Sequence, residues 1–367
     1  MATQANNRKM TAKQQEAKKR RKIIIFAVEI FIIIIMMAVL WLVMNRTSEG
    51  PKVTVLDPKE LEIHEEVRQQ KEEGGTMQGY LNIALFGVDA ETDSQLYKNS
   101  RSDSIMIASV NLDTGEIKLV SVYRDSYLNI GTDEYRKCNA AYSFGGAEQA
   151  VKMLNMNLDM DIEHFVTVGY KGLSEVIDGL GGVWIDVDEE ELKHINNYQI
   201  GIAETLKCDY IPVASAGYQL LNGLQATAYC RIRYTAGDDF KRTARQREVI
   251  QAIEDQAKQA DLATLTRVFN NAIDDIYTNV DTETIMEFLG AITKYEIVDE
   301  GGFPQESMRT VANIGAKGSS VIPMDLESNV VWLHQFLFSD EDYTVTDSVR
   351  EYSRKIASDT AAYINKQ

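Results

Sequence analysis

The segment Tyr229 to Gln246, YCRIRYTAGDDFKRTARQ, holds four arginines and one lysine in a chain whose formal net charge is −17. Arginine stays charged at any working pH, and its planar fork matches a phosphate or a carboxylate. Arg231 and Arg233 are two apart, so in an extended segment both point to one face. Gly237 permits a turn, and Asp238 or Asp239 caps the helix that follows. Arg242, Arg245 and Gln246 recur at i, i+3 and i+4 and share a helical face. Two same-facing pairs joined by a turn converge on one anion. The competing arrangement is a solvated face on which these arginines pair with Asp238, Asp239 and Glu248.

A second set of charges sits where apolar runs begin and end. Asp89 follows LNIALFGV, Arg101 and Asp103 open the run SDSIMIASVN, and Arg124-Asp125 close EIKLVSVY. The turn LDTG makes the last two runs a hairpin, so Asp103 and Arg124 fall at the same end. Ligands of open α/β sheets gather at strand ends. Two aspartates with water suit Mg²⁺ or Mn²⁺. Ion pairs decorating loop ends would use the same residues. The four histidines, His64, His164, His194 and His334, carry no metal spacing, and GxSxG, CxxC and Walker motifs are absent from the sequence. Gly145-Gly146 reads as the opening of a helix, with amides for an anion. Cys138, Cys208 and Cys230 are too few and too scattered for a disulfide framework or a zinc site. They fit one bridge and a free thiol, or three reduced thiols.

The elements that must position these residues follow from periodicity. A buried strand is expected from near Tyr80, the hairpin next, and a helix over NAAYSFGGAEQAVKMLNMNL with Ala147, Val151, Leu154 and Leu158 on one face. HFVTVGY and VWIDV read as strands, and KGLSEVIDGLGG as a helix ended by glycines. Residues 189–213 read as a polar excursion. LNGLQATAY reads as a helix capped at Asn222, CRIRY as extended, and about Phe240 to Gln259 as a longer helix. After Asp261 the chain reads as helical, down to a surface helix near its end. The pattern predicts an α/β fold, a three-layer sandwich with a central mixed sheet flanked by helices.

Charge and hydropathy divide the rest. Residues 1–22 carry +7, Ile23 to Met44 is a 22-residue apolar run whose one charge is Glu29, and 45–367 carries −23. A helix of that length spans about 33 Å, enough to cross a bilayer. The basic flank places the N-terminus in the cytoplasm and everything past Asn45 outside. The expected organisation is a basic tail at 1–22, a transmembrane helix at 23–44 and a stalk at 45–79. A catalytic domain at 80–345 and a surface helix at 346–367 follow. The acidic body argues against nucleic acid as a partner.

The ordered set NIALFGVD (82–89), RSDSIMIASVN (101–111), SVYRDSYLNI (121–130), KCNAAYSFGG (137–146), VIDGLGGVWIDV (176–187), YQLLNGLQATAYCRIRY (218–234) and GDDFKRTARQREVI (237–250) resembles the LytR–CpsA–Psr family of Gram-positive cell-wall proteins. The resemblance implies a phosphotransferase that moves a glycopolymer (teichoic acid, capsule or another wall polysaccharide) from an undecaprenyl-pyrophosphate carrier to peptidoglycan. It implies Mg²⁺ on Asp89 and Asp103, with Arg101 beside them. It implies Arg124, Lys137, Arg231, Arg233, Arg242 and Gln246 on the pyrophosphate. Asp103 is the expected base, and Asp103, Arg124, Arg231 and Arg233 the expected catalytic set. An apolar tunnel for the lipid is implied, with Leu154, Phe165, Val176 and Val183 as candidate walls. Tyr123 stands where the family usually has proline, Cys138 where it has isoleucine and Cys230 where it has alanine; no charged group is lost. The alternatives are a polyprenyl-pyrophosphate hydrolase and a non-catalytic carrier-binding regulator.

Overall fold

The computed structural model describes residues 56–90, 96–97, 100–233 and 238–364. The tail and apolar run expected at 1–44 lie outside these residues.

A six-stranded mixed sheet runs in the order β10-β3-β2-β1-β6-β9. Its strands are β1 (Tyr80–Val88), β2 (Ser102–Asn111), β3 (Glu116–Val122), β6 (His164–Val168), β9 (Ile276–Thr278) and β10 (Glu296–Phe303). The expected hairpin is β2–β3, antiparallel, and β1 pairs with β2 antiparallel and with β6 parallel. Three ribbons flank the sheet: β4 (Tyr127–Asn129) with β5 (Tyr135–Lys137), β7 (Val183–Val187) with β8 (Gly217–Leu221), and β11 (Arg309–Asn313) with β12 (Ser319–Pro323). The expected strand VWIDV is thus β7, but it stands outside the central sheet.

Ten α-helices are described, with five short 3-10 turns between elements: α1 (Glu65–Glu72), α2 (Ala140–Leu158), α3 (Tyr170–Gly179), α4 (Glu189–Leu206), α5 (Gly223–Tyr229), α6 (Asp238–Gln259), α7 (Leu262–Ala272), α8 (Thr282–Gly290), α9 (Leu326–Phe338) and α10 (Asp347–Ile364). One face of the sheet buries Ala84, Phe86, Ile105, Ile107 and Val120 against α2, α9 and α10. A second core joins α3, α4, α5 and α6 to the β7–β8 ribbon through Ile177, Ile185, Ile195, Leu224 and Val249. The sheet between two helical layers is the expected sandwich.

Several sequence expectations are corrected. The stretch 189–213 is no excursion: α4 occupies most of it, opened by a capping box in which Asp188 accepts from the Glu191 amide and Glu191 from the Asp188 amide. It buries Glu191, Ile195, Gln199, Ile202 and Ala203, a stripe mixed enough in polarity to hide the apolar period. The C-terminal third is not all helical. It supplies both edge strands, β9 and β10, and the β11–β12 ribbon. β10, EIVDEGGF, is mostly exposed, and charges on an edge strand blunt further pairing while erasing the apolar alternation that marks a strand.

Gly145-Gly146 does not open a helix. The pair forms a kink inside α2, with Gly146 at φ +67°, where a Cβ would lie 2.2 Å from the Tyr97 carbonyl. The expected stalk is part of the folded domain from Leu56 onward. Leu56, Leu61, Ile63, Val67 and Met77 are buried in the first core, and Asp57 caps a short turn at Pro58–Glu60. The terminal helix α10 likewise buries Val349, Ile356 and Thr360.

Candidate active site

β1 and β2 end together, and a bulge shapes their shared end. Gly87 is opposite Ser104 while Val88 is opposite Ser102, which leaves Asp103 as the extra residue. A bulge breaks the alternation of side chains and re-aims one of them. Asp103 and Ser104 therefore both line a single cavity on the α6 side of the sheet.

That cavity has a volume of about 480 Å³. Much of its wall is apolar, built by Leu85 and Met106 from the sheet, Leu173 from α3, and Val249, Ile250 and Ile253 from α6. Its polar wall is Asp103, Arg231, Arg233, Arg242 and Gln246. The order Arg242, Gln246, Val249, Ile253 follows successive turns of α6, so one helix carries both the polar and the apolar lining. None of the four expected wall residues lines it. Leu154 and Phe165 belong to the core on the opposite face of the sheet, Val183 to the second core, and Val176 is half-buried on α3.

The charged wall is knit by Asp239. Arg124 Nη1 donates to Asp103 Oδ1 at 2.6 Å, and its Nε to Asp239 Oδ2 at 3.1 Å. Arg233 Nε and Arg242 Nη2 each lie 3.3 Å from Asp239 Oδ1. Arg242 also reaches the Asp103 carbonyl at 3.2 Å. One carboxylate thus gathers three guanidiniums that would otherwise repel one another. Asp239 was expected as a helix cap or surface partner; its central place was not legible, because the sequence shows the arginines' spacing but not their convergence.

Burial lowers the affinity of Arg124 for its proton, but Asp103, Asp239 and Asp125 more than offset this and hold it above the ordinary value. Burial dominates at Arg242, whose pKa is lowered despite Asp239; a guanidinium stays charged all the same. Arg242 Nε and Gln246 Oε1 are buried without a hydrogen-bond partner. A buried polar atom without a protein partner calls for a partner of another kind, such as water, an ion or a ligand.

Arg231 is not on an extended strand. Cys230 ends α5 in the right-handed helical region, and Arg231 follows in a turn with Ile232 fully buried beside it. The guanidinium is placed by stacking: its Cζ is 4.5 Å from the Tyr170 ring centroid and 5.7 Å from that of Tyr198. Its Nη2 stays 3.8 Å from Asp89 Oδ2. Tyr170 and Tyr198 are cavity-lining residues the sequence reading missed; tyrosines on two helices carry no local signal. Arg245 turns away, its Nε 2.6 Å from Glu191 Oε1 and its Nη1 3.2 Å from the Ile232 carbonyl.

The remaining expected residues fall outside the cavity. Arg101 is exposed before β2, and Lys137 on β5 pairs with Asp125 at 3.1 Å. Tyr123 suits a position where proline is the family habit, because its amide donates to the Phe303 carbonyl at 2.9 Å and extends the β3–β10 pairing. All three cysteines are free. Cys230 lines the cavity, and burial pushes its thiol up to about 12. No cluster of three or more metal-ligating side chains occurs among the described residues. Asp89 and Asp103 remain 47% and 34% exposed. Two carboxylates with open positions for water and phosphate oxygens are a donor set that suits Mg²⁺.

The structure is thus a mixed α/β sandwich with three arginines and Asp103 in the wall of an otherwise largely apolar cavity. The LytR_cpsA_psr family model matches residues 48–326, and the chain belongs to that family of glycopolymer transferases. It is 30% identical over 232 residues to the polyisoprenyl-teichoic acid–peptidoglycan teichoic acid transferase TagU of Halalkalibacterium halodurans, covering 60% of this chain and 70% of that one. Its fold is similar to that of Bacillus subtilis TagV, with a TM-score of 0.57 and 23% identity, covering 73% of this chain and 99% of that one. A structure of TagT bound to LIIa-WTA is also similar, with a TM-score of 0.52 and 19% identity, covering 86% of this chain and 98% of that one.

Proposed function

We propose that this protein transfers a glycopolymer from an undecaprenyl-pyrophosphate carrier to a hydroxyl of peptidoglycan. The observation that carries the reading is the junction of two environments along α6 in one cavity wall: Arg242 and Gln246 first, Val249, Ile250 and Ile253 on the turns that follow. A pyrophosphate fits the first and a polyprenyl chain the second. The presence of both environments in one pocket supports a lipid-linked pyrophosphate as the donor. The name of the TagU relative and the bound TagT structure support the same reading.

In this reading the acceptor oxygen attacks the phosphorus that bears the glycan. The bond from that phosphorus to the bridging oxygen breaks, and undecaprenyl phosphate leaves with the electron pair. The hydroxyl proton goes to a carboxylate of the cavity wall, for which Asp103 is the assignment. Arg124, Arg231, Arg233 and Arg242 stabilise charge on the non-bridging oxygens, where aligned donors act most strongly. Asp89 and Asp103 would hold Mg²⁺ or Mn²⁺, which when bound supplies further charge neutralisation. The donor's pyrophosphate stores the driving force, so no nucleotide is required. A membrane anchor at 23–44 with the domain outside the cell would place the pocket beside its lipid carrier.

The test is transfer from a lipid-linked donor to peptidoglycan. Arg231 is partly exposed and packs on tyrosines rather than in the core, so Arg231→Ala should fold normally. Its transfer rate should fall by about 100-fold or more, the usual cost of a lost oxyanion donor. Wild-type transfer by this variant would overturn the site assignment.

A further inference from the structure

One more guanidinium stands beside this cluster. Arg309, the first residue of β11, lies with its Cζ 3.9 Å from the Phe240 ring centroid and 4.7 Å from that of Tyr123. Its Nη1 donates to the Tyr123 hydroxyl at 3.0 Å and to the Pro304 carbonyl at 3.1 Å. The two rings meet edge to face, 4.7 Å between centroids. Tyr123 precedes Arg124 and Phe240 follows Asp239, so Arg309 is anchored to both segments that carry the cluster.

The stacking and the two Nη1 bonds fix the guanidinium plane and occupy one corner of it. Nε and Nη2 make no protein hydrogen bond among the described residues, and neither is a buried atom. No carboxylate pairs with Arg309 among the described residues, although the chain carries 55 acidic side chains. The free Nε–Nη2 edge is a fork that grips an oxyanion through two parallel bonds. Stacking on an aromatic face holds such a fork without neutralising it.

We propose that Arg309 forms a second oxyanion subsite, which takes an anionic group on the first repeat units of the donor glycopolymer, a phosphodiester or a carboxylate. It rests on the transferase reading above: the pyrophosphate occupies the main cluster, and Tyr123 and Phe240, the chain neighbours of Arg124 and Asp239, set Arg309 beside it for the first units of the attached polymer.

Two lipid-pyrophosphate donors separate this from a structural clamp, one bearing an uncharged disaccharide and one the same disaccharide with a glycerol phosphate. In the full chain, Arg309→Ala should reduce the preference in kcat/KM for the charged donor about five- to tenfold, as expected for a lost charge-assisted bond near the surface. Arg309→Lys should restore only part of it, because a point charge replaces a fork. An equal loss on both donors makes Arg309 a clamp and overturns the proposal. Calorimetric titration with a glycerol phosphate trimer gives a readout independent of turnover. Binding weakened by Arg309→Ala but kept in Arg231→Ala supports the subsite; binding indifferent to Arg309 overturns it. Should the wild type transfer neither donor, the transferase reading fails while the titration still decides the subsite.

Discussion

Arg245 shows how a site residue and a supporting residue separate at close spacing. It shares a helical face with Arg242 by sequence, yet Arg242 reaches Asp239 and Asp103 while Arg245 reaches Glu191 and the Ile232 carbonyl. That carbonyl lies between Arg231 and Arg233, so Arg245 holds the turn that presents them. The types and spacing of the arginines were legible, and so was the placement of Asp103 and Arg124 at the same end of the hairpin. The partners Tyr170, Tyr198 and Glu191 were not, because each comes from another element; Asp239 was legible as a partner of the nearby arginines but not as the carboxylate that also holds Arg124. The Arg245–Glu191 pair is buried on both sides, 4% and 9% exposed. Removing one member of a buried pair strands the other. Arg245→Met should therefore cost about 3 kcal/mol in urea unfolding, and adding Glu191→Gln should recover part of the loss. Additive losses in the double variant would mean that the pair is not coupled.

At the scale of elements, the sequence reading succeeded where local pattern and tertiary role agree. The hairpin has a clear turn, α2 and α6 have long apolar-periodic runs, and α5 is capped at Asn222. It failed where they part: α4 is polar on most faces, β10 is an exposed edge, and CRIRY has the alternation of a strand but follows α5 as a turn. A strand needs a neighbour, and the β7–β8 ribbon is already complete without this segment. What fixes Arg231 is instead the docking of α5 on α3. Gly223 begins α5, and a Cβ there would lie 2.1 Å from the Ser174 carbonyl. Gly223→Ala should thus force the two helices apart, at a cost of about 3 kcal/mol. Thermal unfolding measures it, and a variant as stable as the wild type would show that α5 docks with slack. Because Arg231 lies just beyond α5, donor binding should weaken in the same variant.

Across the whole molecule, the described segment before β1 is a strap rather than a spacer. Its helix EEVRQQKE is charged on every turn and buries only Val67, which is why it resembles a solvated stalk in sequence. The strap is tied down at Asp159, a fully buried residue in the left-handed region just past α2. Its carboxylate faces His64 Nδ1 at 2.6 Å and accepts from the Thr346 amide and hydroxyl at 2.8 Å each. One side chain therefore joins the strap, the end of α2 and the entry to α10. Burial pushes the Asp159 pKa up, but the bonds from His64 and Thr346 prevail and hold it below the ordinary value. A carboxylate with a lowered folded-state pKa stabilises fully above its unfolded pKa of about 3.9, and this contribution fades as pH falls through the folded value. Asp159→Asn removes the charge while keeping the shape. It should cost about 3 kcal/mol at pH 7, the scale of a broken buried network. The gap from the wild type should then close as unfolding is measured below pH 3. A penalty equal at both pH values would mean that ionised Asp159 is not what binds the strap, and that the apolar contacts of Leu61, Ile63, Val67 and Met77 hold it alone.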